Sequence, residues 1–131
     1  MKNEKGFTLV EIITVLVLIG ILVAIALPIY RNSVIKARES VLKENLFQLR
    51  DAISKFYTDK QKYPTSLEEL IEYKYLRKIP VDPISGKEDW ELVRFEPEEQ
   101  EDFDPDIAMG IIDVKCPSQD PSIDGTLYNT W

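Results

Sequence analysis

A chain of 131 residues, 44% hydrophobic and 30% charged, holds one modest globular domain plus accessory segments, which excludes a multidomain enzyme. It contains no histidine, so the commonest general base and metal ligand is missing, and histidine triads and histidine zinc sites are excluded. A net charge of -7 with no strong basic patch argues against nucleic acid as a partner. Cys116 is the single cysteine and cannot form a disulfide within its own chain.

In chain order, Met1-Lys2-Asn3-Glu4-Lys5-Gly6 is short, polar and positively charged, like the opening of a targeting signal. Residues 7–29 follow with a single charge, Glu11. As a helix these 23 residues reach about 34 Å, against a hydrocarbon core of about 30 Å, so the segment is predicted to span a membrane. A cleaved secretory signal fits badly, because its apolar core is shorter and ends in a small-x-small site.

After Pro28 the apolar residues become one-sided: Val34, Ala37, Val41, Leu42, Leu46, Leu49, Ile53, Phe56 and Tyr57 recur at steps of three and four. The opposite face is read as Arg38, Glu39, Lys43, Glu44, Arg50, Asp51 and Lys55, with Glu39 to Lys43 and Asp51 to Lys55 as i,i+4 ion pairs. One helix is expected over residues 7–60, with Pro28 as a kink or, in the alternative, a break. Tyr63-Pro64-Thr65-Ser66 supplies a stop and an N-cap for a short second helix that ends near Lys74.

Beyond it lie two strand candidates, residues 90–95 and 109–114, among proline-rich polar loops. Residues 88–106 carry ten acids against one base, Arg94, a run most often found as a solvated face. The fold class is therefore α+β: a long N-terminal α-helix, half transmembrane and half amphipathic, packed against a small antiparallel β-sheet head.

Lys5-Gly6-Phe7-Thr8-Leu9-Val10-Glu11, followed by an apolar run that ends near a proline, closely resembles the prepilin leader of the type IV pilin superfamily. The remainder resembles the major pseudopilin of type II secretion systems. The similar residues are Ile79-Pro80-Val81-Asp82-Pro83-Ile84-Ser85-Gly86 and the ending Ile112-Asp113-Val114, an Asp- and Ser-rich loop, then Trp131. The acidic stretch 88–106 departs from that pattern.

The resemblance implies a leader peptide at 1–6, a transmembrane and filament-core helix at 7–29, and a periplasmic head at 30–131 that includes the amphipathic half of the long helix. A prepilin peptidase would cut between Gly6 and Phe7 and methylate the amine of Phe7. The subunit would sit in the inner membrane as a single pass; Lys2 and Lys5 are matched by Arg31, Lys36 and Arg38, so charge bias alone does not orient it, and it is the leader resemblance that places the N-terminus in the cytoplasm. It would then join a homo-oligomeric helical filament together with an inner-membrane assembly platform and minor pseudopilins, and drive protein export. The alternative is a type IV pilus subunit for adhesion, motility or electron transfer, against which the absent disulfide speaks.

Glu11 is the sharpest single residue. A carboxylate at the centre of a bilayer costs roughly 2.5 to 3.5 kcal/mol, and the α-amine created at Phe7 by cleavage would be its natural partner in a packed filament core. In the plainer reading it sits at headgroup level and favours the helix N-terminus electrostatically. The loop 116–125 offers oxygens at close spacing. Major pseudopilins hold calcium there, and here the matching ligands are Ser118, Asp120 and Asp124, unless the loop is simply an Asp-rich turn. Cys116 reads as a small packed residue. Adjacent acids such as Glu98 and Glu99 do not point across a cleft, so no enzyme activity and no small-molecule substrate are expected.

Overall fold

The computed structural model describes residues 5–96 and 109–131. Leader residues 1–4, most of the acidic stretch, and the Glu98 and Glu99 pair lie outside the described residues. The chain divides into two compact units, Met1–Ile35 and Lys36–Trp131.

The first helix, α1, runs Leu9–Lys60 and carries Pro28 inside it. Thr8 opens it: its hydroxyl accepts from the Glu11 N–H at 3.2 Å and its carbonyl from the Ile12 N–H at 3.2 Å. The helix ends where Gln61 turns left-handed at φ 57°, with its N–H still on the Tyr57 carbonyl at 2.9 Å. Within the first unit the large apolar side chains from Leu9 to Ile29 are 49 to 73% exposed among the described residues. The helix contains a window apolar enough to cross a membrane.

In the second unit the residues of α1 that turn inward are Glu39, Leu42, Leu46, Leu49, Ala52, Ile53 and Phe56. This corrects the predicted stripe in two ways. Val41 and Tyr57 stay largely exposed, and Tyr57 stacks instead on Tyr63 with ring centroids 4.4 Å apart. Glu39, assigned above to the face opposite the apolar stripe, is buried. The physical reason is spacing, since 39, 42, 46, 49, 53 and 56 follow alternating steps of three and four and so share one face. Of the two ion pairs expected on the outer face, Asp51 to Lys55 forms at 2.7 Å, whereas Glu39 turns to the C-terminal loop.

A second helix, α2, spans Leu67–Glu72. Ser66 caps it by accepting from the Glu69 N–H at 3.3 Å, while the Glu69 carboxylate takes the Thr65 N–H at 2.7 Å. Leu67 and Leu70 pack into the core beside Phe56, whose ring meets Tyr73 and Tyr75 edge-on. Strand β1, Glu91–Arg94, pairs antiparallel with β2, Ile111–Lys115, placing Leu92 opposite Val114 and leaving a bulge at Val93/Arg94. Gly110 leads into β2 where a Cβ would overlap Tyr63, so the close approach that lets the Ile111 N–H reach the Pro64 carbonyl at 2.8 Å requires glycine there.

The core closes with Trp90, Ile111, Val114, Cys116 and Tyr128 against the α1 stripe. The loop before the sheet is pinned from several sides. Trp90 Nε1 donates to the Pro80 carbonyl at 2.8 Å and Asn45 Nδ2 to the Val81 carbonyl at 2.9 Å. Asp82, fully buried, accepts from the Ile84 N–H at 2.8 Å and from the Cys116 thiol at 3.3 Å.

Candidate functional site

Two sets of residues bear on function, one in each unit, and each is described separately. In the first, Phe7 is 79% exposed and Glu11 lies one turn into α1. Phe7, Glu11, Ile12, Val15 and Leu16 line a shallow groove of about 250 Å³. Thr8-Leu9-Val10-Glu11 has the spacing of a capping box, and the Glu11 N–H is the group that Thr8 satisfies. A carboxylate in the first turn also meets the positive end of the helix dipole. Starting the helix accounts for an acid at this position. It does not account for the uncovered apolar surface that continues from Ile12 to Ile29.

In the second unit the residues expected to hold calcium lie on two turns, Ser118 and Asp120 on one and Asp124 on the next. The Ser118 hydroxyl donates to Asp120 Oδ2 at 3.1 Å and accepts from the Asp120 N–H at 3.2 Å, a self-contained turn. Asp124 sits elsewhere, at the tip of a small hairpin whose rungs are Pro121 opposite Leu127 and the Ser122 N–H on the Thr126 carbonyl at 2.7 Å. Gly125, at φ 84°, makes that tip possible, and its N–H returns to the Ser122 carbonyl at 3.0 Å. Among the described residues no three or more Asp, Glu, Cys or His gather in one place.

What does converge on the C-terminal segment comes from α1. Glu39 Oε1 accepts from the Ile123 N–H at 2.8 Å and from the Tyr128 hydroxyl at 2.9 Å. Burial, and then the bond to Glu39, push the Tyr128 phenol up to about 12. The Arg50 guanidinium donates to Asp113 Oδ1 at 2.6 Å, to the Val114 carbonyl at 3.0 Å and to the Trp131 carbonyl at 2.9 Å. Lys43 lies over the Trp131 ring, 4.5 Å from its centroid, and Trp131 Nε1 donates to Thr126 Oγ1 at 2.9 Å. Sequence reasoning placed Glu39, Lys43 and Arg50 on a solvated face and missed this set. A carboxylate in register with the leucines at 42, 46 and 49 was the available signal. Cys116 is packed in the core as expected, and burial, more than its bond to Asp82, pushes the thiol up to about 11.

Residues 1–27 match a family described as "Prokaryotic N-terminal methylation motif", which defines the class of this N-terminus. Over most of the chain's length there is similarity to type II secretion system core protein G. The protein of that name from Klebsiella michiganensis is 30% identical over 108 residues, covering 70% of this chain and 75% of the relative. Its counterpart from Escherichia coli K12 is 30% identical over 132 residues, covering 85% and 88%. The chain belongs to the type II secretion system core protein G family. The type IV major pilin protein PilA of Myxococcus xanthus is 36% identical over 68 residues, 52% of this chain but 31% of that pilin. No solved structure matches the chain.

Proposed function

We propose that the chain is the structural subunit of a periplasmic pseudopilus that drives protein export in a type II secretion system. In this reading it is inserted in the inner membrane through residues 7–29 with the N-terminus cytoplasmic. A prepilin peptidase removes residues 1–6, cutting between Gly6 and Phe7, and methylates the Phe7 amine. The assembly platform then draws the subunit into a helical filament. The contact is heterologous, because identical helices packed with a rise per subunit do not close into a ring. The chain acts by assembling and not by catalysis.

The observation that carries this reading is the apolar stretch from Leu9 to Ile29, whose large side chains are exposed and whose one charge is Glu11. In a core built of such helices an unpaired carboxylate is costly, and the ammonium that cleavage exposes on Phe7 of a neighbouring copy removes that cost. The extent of similarity favours secretion over a surface pilus, since core protein G relatives align along most of their length and the Myxococcus pilin along about a third.

Glu11→Ala tests the reading. The variant should enter the membrane and lose its leader normally, yet give no filaments by electron microscopy. Normal filaments from it would overturn the assembly role.

A further inference from the structure

The resemblance carries calcium into the loop 116–125. We propose that in this chain the C-terminal segment 116–131 is instead closed by its own side chains, Arg50 supplying the cation and Glu39 the anchor, so that its order is independent of calcium.

The polarity of the contacts leads to this conclusion. A calcium ion takes six to eight oxygens converging at about 2.3 to 2.6 Å. The hairpin instead turns donors inward, the Ile123 N–H and the Tyr128 O–H, and both meet the buried Glu39 carboxylate. Where oxygens do converge, at Asp113 Oδ1, the Val114 carbonyl and the Trp131 carbonyl, the positive charge among them is the guanidinium of Arg50. Its planar fork suits three oxygens at fixed angles, and it stays charged at any pH at which the protein folds.

The acids assigned to calcium fit this arrangement. Asp120 Oδ2 and the Asp120 N–H close a turn with the Ser118 hydroxyl. Asp124 lines a groove together with Lys43, Arg50 and Trp131, where a divalent cation would meet two fixed positive charges. The hairpin is also tied within itself: Ser122 and Thr126 share a hydroxyl hydrogen bond at 3.0 Å, and Trp131 packs edge-on against Tyr128 at 5.2 Å. One carboxylate and one guanidinium from the same helix thus do the work of a metal at both ends of the segment. This inference rests on the loop geometry alone and stands or falls apart from the filament reading.

The test uses the full chain in detergent micelles with calcium chloride as the probe. A site saturated about a hundredfold above its dissociation constant would raise the melting temperature by roughly ten degrees or more. We expect melting in excess calcium and in chelator to agree within about one degree, which is far below that linkage effect. A calcium-dependent rise of several degrees would overturn the proposal. In a second arm, Arg50→Met and Glu39→Gln should each speed proteolytic cutting within 116–131, and added calcium should not slow it. A segment as resistant in both variants as in the wild type, or one that calcium protects, would equally overturn it.

Discussion

Residues 5–35 and 36–131 contain the same kinds of apolar side chain with opposite fates. Leu42, Leu49 and Phe56 are fully buried, whereas Leu16, Leu22 and Ile25 are 58 to 66% exposed. Both sets lie on α1. In the second unit each helical leucine finds its partners on α2, on the strands or in the C-terminal segment, so that unit is stabilised by its own chain. In the first unit the described residues leave such side chains exposed, and in the proposed reading lipid or other copies cover them. The comparison teaches that mutations in the two regions should separate: one region decides whether subunits assemble, the other whether a subunit is folded.

The largest expected effect is the all-or-none loss of filaments in Glu11→Ala, with the melting temperature of the head unchanged. A drop in that temperature would blur the division between the regions. Next comes Phe56→Ala, which removes a ring at the centre of the head core. It should lower stability by about 3 to 5 kcal/mol in urea melts. Membrane insertion and leader processing should persist, since Phe56 lies outside the unit that carries them. Glu39→Gln is smaller, about 1 to 3 kcal/mol, because the amide keeps an acceptor for Ile123 and Tyr128 and loses the charge.

Last comes an effect confined to alkaline pH. The Tyr128 phenol titrates near 10 when unfolded and at about 12 in the folded chain, so between those values the unfolded state releases its proton first and stability falls as pH rises. Cys116, raised from near 9 to about 11, adds a slope of the same sign that begins lower. Tyr128→Phe should flatten the upper part of the decline in urea melts and leave the lower part. An unchanged slope above pH 10 would mean that the phenol does not contribute.

The same contrast explains what was legible in the sequence. The N-terminal motif could be read at once because it is local: its signal is the order of Gly6, Phe7 and Glu11 along the chain. The long helix, the Ser66 cap and both strands were legible for the same reason, with boundaries shifted by one or two residues. The contacts of Glu39 and Arg50 span 63 to 89 positions and join groups that carry no shared pattern. Propensity and charge pairing therefore assigned both residues to solvent. The stripe at 39, 42, 46 and 49 held the clue, because a carboxylate in a leucine register must find donors when it is buried.

Mass spectrometry of subunits recovered from purified filaments tests the central claim most directly. The account predicts a polypeptide that begins at Phe7 and carries one added methyl group on its amine. Filaments built from chains that still begin at Met1 would contradict it, since no ammonium would then stand at Phe7 to meet Glu11.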